Sequence, residues 1–355
     1  MNINRVKLYR LDELLRKEVD DGRLPGYSIA VGLGNEIIHQ SFGGYAENKN
    51  GVTRLMRDDT IFDLASLTKV VATLPSILWL IDYGEIRLHD PVAKFIANFR
   101  SDPKSVVTVQ HLLTHSSGLP SHRAYYQHSH SRDEIISMVK KEELECSPGT
   151  RVVYSDLGFI LLGEIVRIIT SKTIAEFSKE YIFQPLSMNE TNYNPDKNLR
   201  DRIAATEESS GFGVKVGVVH DENAYQMDGF SGHAGLFAPI SDLTRYVKMW
   251  LTPSISILSE SVRHIACQCH TDRLNGCRGL GWTYRRDSFD HSGDLWPPTT
   301  VGHTGFTGTS ITMDPSSKLW TILLTNRVHY GRDNLIMKEL REKSHNIIAS
   351  ALTDI

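Results

Sequence analysis

The strand patterns of this 355-residue chain lie at its two ends, and this placement constrains the fold more than any other feature. Two β-like runs, 27–33 and 36–42, are separated by a Gly-Asn dipeptide that is typical of a tight hairpin turn. Two further β-rich runs, 309–313 and 319–326, flank an Asp-Pro-Ser-Ser turn and predict a second hairpin. Hairpins so far apart in sequence predict one antiparallel sheet that is built from both chain ends.

Helical patterns accompany both hairpins and fill the middle of the chain. Apolar residues recur at steps of three and four over residues 4–21 and again over 332–352, which predicts a helix in each place. From about residue 76 to residue 205 the pattern is mostly helical, with loops between the helices.

These patterns together predict an α+β fold in which the antiparallel sheet is flanked by helices and carries an inserted helical lobe. We expect a single domain over 1–355, with a sheet lobe of residues 1–75 plus 206–355 and a helical lobe of residues 76–205. A cleft between the two lobes is a usual place for a ligand site.

Composition excludes some classes of partner. The formal net charge is −3, so the chain lacks the basic character expected for binding nucleic acid or an anionic membrane. The first residues are too charged for a secretory signal, and the apolar run 70–81 is too short to span a bilayer. We therefore predict a cytoplasmic location for the sequence as given, or an extracytoplasmic one if an export segment was removed.

The four cysteines allow a metal site as an alternative. Cys267, Cys269, His270 and Cys277 lie close together in sequence, but their spacing fits no standard zinc pattern. Four cysteines are too few for a disulfide framework in a chain of this length, so reduced thiols and no metal are expected.

One serine and one lysine stand out inside an apolar helical pattern. A serine three residues before a lysine occurs in three places: Ser66/Lys69, Ser101/Lys104 and Ser137/Lys140. Only the first pair lies in an apolar helical pattern, because the second is in a loop that proline interrupts and the third is in a charged run. Asp63 is a plausible N-cap, which would place Ser66 in the first helical turn, beside free backbone N–H groups.

The pair has a chemical and a structural interpretation. Residues three apart share a helix face, so the amine can reach the hydroxyl, and burial would lower the pKa of the amine and allow it to activate the serine. Alternatively, the lysine extends its ammonium to solvent along the helix surface.

Two further triplets favour the chemical interpretation of Ser66 and Lys69. Tyr154-Ser155-Asp156 opens a helical pattern, and His303-Thr304-Gly305 lies on a probable strand. With Ser66 and Lys69, in this order, they resemble the serine β-lactamase and penicillin-binding-protein superfamily. The chain is most similar to the branch that holds class C β-lactamases, D-alanyl-D-alanine carboxypeptidases, D-aminopeptidases and related esterases. The segments 111–120 and 219–243 also resemble connecting segments of that family, and a β-lactamase-like fold is implied.

The resemblance implies three catalytic residues and no cofactor. Ser66 would be the acylated nucleophile, Lys69 would donate a hydrogen bond to it and share the role of base, and Tyr154 would be the second proton carrier. The strand of His303, Thr304 and Gly305 would bind the substrate along its length.

Further substrate contacts are implied beside these. The backbone N–H groups of Ser66 and Phe306 would form the oxyanion hole, where each donor is typically worth about 10²–10³ in turnover. Asp156 would also contact the substrate.

The sequence departs from the family pattern at two of these positions. Asp156 stands where asparagine is usual, and an ionised carboxylate cannot donate to a substrate carbonyl. Asp156 could also hold the Lys69 amine charged, which would make Tyr154 the better base, or it could itself be protonated or turned away. His303 stands where class C β-lactamases have lysine, so carboxylate binding would be weaker and dependent on pH.

We therefore expect a serine hydrolase that forms an acyl-enzyme on Ser66 and resembles D-alanyl-D-alanine carboxypeptidases, with weak β-lactamase activity left open. The alternatives are a carboxylesterase of the same fold, a non-catalytic relative that binds penicillin or peptide, and a metallohydrolase using the cysteine cluster. The predicted partner is a small molecule or peptide: a D-alanyl peptide, a β-lactam or an ester.

Overall fold

The structure is a computed structural model that describes residues 2–129, 131–209 and 213–353. The strands in this part of the chain are β1 (Asn2–Ile3), β2 (Gly26–Leu33), β3 (Glu36–Lys49), β4 (Val52–Leu55), β5 (Ile61–Asp63), β6 (Asn192–Tyr193), β7 (Glu208–Ser209), β8 (Gly213–Val214), β9 (Leu236–Pro239), β10 (Thr283–Tyr284), β11 (Val301–Thr304), β12 (Ser310–Met313), β13 (Leu319–Thr325) and β14 (Leu352–Thr353).

Helices account for much of the remaining described chain. The α-helices are α1 (Arg5–Asp20), α2 (Leu74–Asp82), α3 (Val109–Leu113), α4 (Arg132–Lys141), α5 (Asp156–Thr170), α6 (Ile174–Ser178), α7 (Glu222–Gln226), α8 (Ile240–Leu251), α9 (Glu260–Ala266) and α10 (Met337–Ala351). Shorter 3₁₀ and π-helical turns lie between them.

The largest sheet joins the two ends of the chain. Its seven antiparallel strands run in the order β10-β11-β12-β13-β2-β3-β4. The first predicted hairpin is β2 and β3, and the second is β12 and β13. The hairpins meet where β13 pairs with β2, with Ile322 opposite Ala30. The predicted α+β fold, with one antiparallel sheet from both chain ends, is confirmed.

Helices cover both faces of this sheet. Helices α1 and α10 pack against each other and bury Leu11, Leu15, Leu340 and Ile348 over one face. Helix α8 contacts β2 and β13 on the other face. Successive strand residues point to opposite faces, so a nearly continuous apolar run such as β13 serves both cores.

The helices from the middle of the chain extend the second of these cores. Helix α5 is almost wholly apolar, and it packs with α2 and with apolar residues of the sheet in one continuous cluster. Residues from both predicted lobes contribute to this one core, so no break in packing marks the predicted boundaries at 75/76 and 205/206. These boundaries stay a prediction.

A small three-stranded sheet, β5-β9-β6, lies beside the predicted site, because β5 directly precedes the segment that contains Ser66. Strand β5 ends at Asp63, and the Leu64 N–H then donates to the Leu236 carbonyl at 2.9 Å. The Leu236 N–H donates in return to Thr68 Oγ1 at 3.1 Å. These bonds fix the backbone on both sides of Ser66.

Two features differ from the sequence predictions. Helix α10 begins at Met337 rather than at 332, because the Arg332 and Asn334 carbonyls accept hydrogen bonds from the Arg327 guanidinium instead of from helical N–H groups. The expectation of reduced thiols is wrong for two cysteines, since Cys269 and Cys277 form a disulfide. The chain reverses between these two cysteines, which brings them together.

Among the residues that the structure describes, one helical stretch meets the length and hydropathy of a membrane span. It is Ala65–Asp82, with a mean hydropathy of 1.3, and 78% of it is buried inside the fold. A core helix has these properties too, so the stretch is weak evidence for a membrane span.

Candidate active site

Ser66 lies in a tight turn rather than in a regular α-helix. The turn is the 3₁₀ helix Ala65–Leu67, and Ala65 has a positive φ of +46°, which is unusual for a residue with a side chain. Asp63 is the last residue of β5 and not a helix N-cap, but its carboxylate accepts the N–H of Ala65 at 2.8 Å. The same carboxylate accepts the His220 N–H at 2.7 Å. The strained turn is therefore held from two sides.

Lys69 begins a π-helical turn and is fully buried. Its Nζ donates to Ser66 Oγ at 3.0 Å and to the His233 carbonyl at 3.1 Å. It also lies 2.7 Å from Asp156 Oδ1. The lysine therefore does not extend to solvent, and its ammonium is surrounded by acceptors.

The charge state of this pair follows from its surroundings. Burial lowers the pKa of Lys69, but the charge of Asp156 and then the Tyr154 phenol outweigh burial, and the net pKa is raised. Burial raises the pKa of Asp156, but Lys69 and a hydrogen bond with His122 hold it well below its usual value. The expectation of a neutral, activated amine is wrong, and the alternative of an ion pair with Asp156 describes the structure.

Tyr154 lies in an irregular segment that His115 holds in place. The Val153 N–H donates to the His115 carbonyl at 2.8 Å, and the Ser155 N–H donates to His115 Nδ1 at 3.0 Å. The His115 ring is buried, and its centroid is 4.6 Å from that of the Tyr154 ring. Lys69 Nζ is 5.1 Å from the Tyr154 ring centroid. Ser66, Lys69 and Tyr154 thus converge, while their catalytic roles stay predictions.

Helix α5 begins directly after Tyr154 and places Asp156. Ser155 is the N-cap, because its Oγ accepts the Gly158 N–H at 3.3 Å and donates to the Pro120 carbonyl at 2.6 Å. The Asp156 N–H donates to the Ser121 carbonyl at 2.9 Å. The segment 115–121 therefore supports the whole Tyr-Ser-Asp triplet.

Strand β11 carries His303 and Thr304, which line the same cavity as Ser66. Gly305 follows, and a Cβ there would collide with the Leu64 carbonyl, so the position requires glycine. Thr307 Oγ1 donates to the Asp63 carbonyl at 2.7 Å, and Thr309 Oγ1 donates to the Leu64 carbonyl at 3.1 Å. These bonds join the Ser66 turn to the segment that contains Phe306.

His303 is neutral in this environment. Its Nδ1–H donates to the Thr304 carbonyl at 2.9 Å, and burial with the nearby Lys69 and Arg278 charges lowers the pKa of His303 to about 3. A neutral His303 offers no positive charge to a carboxylate near neutral pH, and the predicted weak, pH-dependent binding of a carboxylate stays a prediction. Its Nε2 has no partner in the described part of the chain.

Two adjoining cavities open on Ser66 and Tyr154. One, of about 310 Å³, is also lined by the His303 strand, Phe306 and the buried Arg278. The other, of about 320 Å³, is lined by His122, Asp156, Asp221 and Glu222. Both volumes are at the lower end of the range for small-molecule sites.

Several residues that line or support the site were not predicted from the sequence. Arg278 Nη2 lies 3.0 Å from a carboxylate oxygen of the equally buried Asp287, and no sequence pattern marks this pair. His122 Nδ1 lies 3.5 Å from Asp156 Oδ2. His115 had a signal, because it belongs to the segment 111–120 that resembles a family connecting segment.

The proposed cysteine–histidine metal cluster is not assembled. Cys269 and Cys277 are joined to each other, and Cys146 and Cys267 are free. Within residues 2–129, 131–209 and 213–353, no group of three or more His, Cys, Asp or Glu is arranged to hold a metal ion.

Comparisons with known proteins give a family and a fold. The sequence model described as Beta-lactamase matches residues 11–345. The N-acetylmuramyl-L-alanine amidase of Bacillus subtilis (strain 168) is 31% identical over 368 residues, which cover 91% of this chain and 81% of the relative. A protein of Escherichia coli O157:H7 named "Putative D-alanyl-D-alanine carboxypeptidase" is 30% identical, with 91% and 83% covered. The solved octameric penicillin-binding protein homologue from Pyrococcus abyssi has a TM-score of 0.72 at 24% identity, with 90% of this chain and 73% of that chain covered.

Proposed function

Because the chain belongs to the beta-lactamase family, we propose that it is a serine hydrolase that cleaves amide bonds through a covalent acyl-enzyme on Ser66. The observation that carries the proposal is the 3.0 Å hydrogen bond from Lys69 Nζ to Ser66 Oγ in a cleft that Tyr154 also lines. A buried ammonium at this distance stabilises negative charge as it develops on the serine oxygen.

Tyr154 is the proposed base, because Asp156 keeps Lys69 charged. Acting as the base, Tyr154 takes the Ser66 proton while Oγ bonds to the carbonyl carbon. The C–N bond then breaks, and Tyr154 gives the proton to the departing nitrogen. Water attacks the ester, gives one proton to Tyr154, and the Oγ–carbon bond breaks as that proton returns to Ser66.

The backbone N–H groups of Ser66 and Phe306 are the proposed oxyanion hole. The Gly305 carbonyl, which is in the same peptide as the Phe306 N–H, accepts the Gly308 N–H at 3.0 Å, and this bond helps to fix the orientation of the donor. Preorganised donors of this kind cost no reorganisation during the reaction.

Two kinds of amide substrate have support among the relatives. The carboxypeptidase name favours a D-alanyl-D-alanine peptide bond, which the Ser66 chemistry also suits. The amidase name of a relative at 31% identity favours, as a second candidate, the amide bond between N-acetylmuramic acid and L-alanine. The alternatives differ in the bond that is attacked or in the fate of the acyl group. A carboxylesterase attacks an ester, a weak β-lactamase attacks a β-lactam ring, and a non-catalytic binder does not release the acyl group from Ser66.

Intact-mass spectrometry tests the nucleophile. Incubation with a fluorescent penicillin, p-nitrophenyl acetate or a D-alanyl-D-alanine peptide should add one acyl group, and peptide mapping should locate it on Ser66. The Ser66→Ala variant should stay unmodified while its circular dichroism shows a folded protein. The matched control is Ser101→Ala, in the second Ser-x-x-Lys pair, which should still be acylated.

The outcome separates the alternatives. Acylation of Ser66→Ala, or no adduct from any of the three compounds, contradicts the proposal. Release of D-alanine from a D-alanyl-D-alanine peptide supports the carboxypeptidase activity, and release of L-alanine from N-acetylmuramyl-L-alanine supports the amidase activity. A Ser66 adduct that never hydrolyses identifies a binder.

A further inference from the structure

One wall of the cleft carries three cations that the proposed chemistry does not use. Arg327, Lys338 and Arg341 line the same cavity as Ser66 and the His303 strand. Arg327 and Arg341 are only 7% and 8% exposed, while Lys338 is exposed at the rim. No Asp or Glu lines this cavity within the described residues.

The positive charges of the two buried arginines are compensated only in part, by hydrogen bonds to backbone carbonyls. Arg327 donates to the carbonyls of Phe306 and Arg332 at 2.9 and 3.0 Å and also to that of Asn334. Arg341 donates from Nη2 to the Thr309 carbonyl at 2.9 Å, and its Nε has no partner in the described part of the chain. Burial, with the nearby Arg327 charge, lowers the pKa of Arg341 to about 9.

A neutralising carboxylate is what these residues lack. Within the residues that the structure describes, Arg327, Lys338 and Arg341 form no ion pair. The other buried arginine of the cleft, Arg278, lies 3.0 Å from Asp287. A buried charge without a counterion is costly, so a site that retains two of them beside the nucleophile is adapted to an anion that arrives with the ligand.

We propose that Arg327, Lys338 and Arg341 form an anion subsite that binds a second carboxylate of the substrate, separate from the group that lies along His303–Gly305. The preferred substrate class is then an amide whose residue next to the scissile bond carries an acidic side chain. This inference rests on the proposed function for its place in catalysis, but not for the binding itself.

A matched ligand pair tests the subsite without turnover. N-acetyl-D-glutamate and N-acetyl-D-glutamine have nearly the same shape, and only the first carries a second carboxylate. By nuclear magnetic resonance titration of the wild-type protein, we expect the glutamate compound to bind about tenfold more tightly, as for a hydrogen-bonded charged group. Arg341→Gln should reduce this ratio to near one.

Two more variants keep the test decisive. Lys338→Gln lies at the exposed rim and should fold even if Arg341→Gln does not, and it should reduce the ratio severalfold. Lys343→Gln is the control, because Lys343 is on the same helix but pairs with Glu339 and does not line the cleft. Equal or absent binding of the two compounds, or a ratio that Lys338→Gln and Lys343→Gln leave equally unchanged, overturns the subsite.

Turnover then places the subsite relative to the scissile bond. Dipeptides with D-glutamate or D-glutamine on either side of the amide should show a higher kcat/KM for the acidic member at one of the two positions. Failure of Ser66 acylation with a preserved binding ratio would reject the proposed function and keep the subsite. Acylation without any acidic preference in binding or turnover would reject only the subsite.

Discussion

At the scale of a single residue, Asp156 determines the charge of Lys69. Its carboxylate lies 2.7 Å from Lys69 Nζ, and each group holds the other in its ionised form. In the proposed mechanism the lysine therefore acts as a fixed positive charge, and proton transfer is assigned to Tyr154. An asparagine at position 156 could not supply this charge, but it could donate a hydrogen bond to a substrate carbonyl.

Asp156→Asn should therefore change both stability and the pH profile. Removing one member of a buried ion pair costs about 3 kcal/mol, so the free energy of unfolding should fall by about that amount near neutral pH. Without the Asp156 charge, burial is the dominant influence on Lys69 and lowers its pKa. The loss of acylation rate at alkaline pH should therefore begin at a lower pH than in the wild type. Urea unfolding and acylation rates measured across pH check both effects.

The sign of the pH dependence follows from the two pKa shifts. The lowered pKa of Asp156 stabilises the fold above its unfolded-state pKa of about 3.9, and this is lost as the pH falls further. The raised pKa of Lys69 stabilises the fold below about 10.4 and is lost as the pH rises through the folded value. The difference in unfolding free energy between wild type and variant should thus be constant from about pH 3.9 up to the lowered pKa of Lys69 in the variant. It should narrow above that pKa, because the folded variant has then released the lysine proton. Asp58→Asn, at an exposed site, is the control, and an equal effect there would contradict the ion pair.

At the scale of elements, the site depends on irregular segments rather than on the regular helices and strands. The hairpins and the terminal helices were predictable, because their periodicity is long and their turns have characteristic residues. The 3₁₀ turn at Ser66 and the π-helical turn at Lys69 were not, since both follow from contacts with Leu236 and His233 far away in sequence.

The site residues also divide into those that a sequence motif marks and those that depend on contacts far away in sequence. Ser66, Lys69 and Tyr154 could be nominated because three motifs occurred in family order, and the family itself is confirmed. The neutral state of His303 and the unpaired charges of Arg327 and Arg341 could not be predicted. They depend on burial and on which groups are absent nearby, and a sequence pattern reports neither.

His115 should act as a positioning residue for Tyr154. His115→Ala removes the acceptor of the Ser155 N–H and the ring that packs on Tyr154, so kcat should fall about tenfold or more, with a smaller change in KM. His115→Asn, which keeps a side-chain acceptor near the position of Nδ1, should recover part of the activity. Steady-state kinetics of both variants at matched circular dichroism check this, and equal kcat in all three proteins would exclude the role.

At the scale of the whole molecule, the cleft depends on the strand pairing that joins the two ends of the chain in the main sheet. Ser66 comes from the N-terminal part of the chain, Tyr154 from the middle and His303 from the C-terminal part. The pairing of β2 with β13 runs over seven residue pairs and joins the first part to the last. The helices that carry the middle part share a core with this sheet.

A shared core predicts that the site and the fold are lost together. In a urea titration, ester hydrolysis and far-ultraviolet circular dichroism should decline with the same midpoint, because Tyr154 comes from the predicted helical lobe and Ser66 from the predicted sheet lobe. Ile322→Ala, at a fully buried position of β13, should lower both midpoints together by the equivalent of about 2–5 kcal/mol. Val6→Ala, at a position 70% exposed, should move neither. Activity that disappears in a separate, earlier transition would show that the helical part unfolds independently, and the single domain over 1–355 would then be wrong.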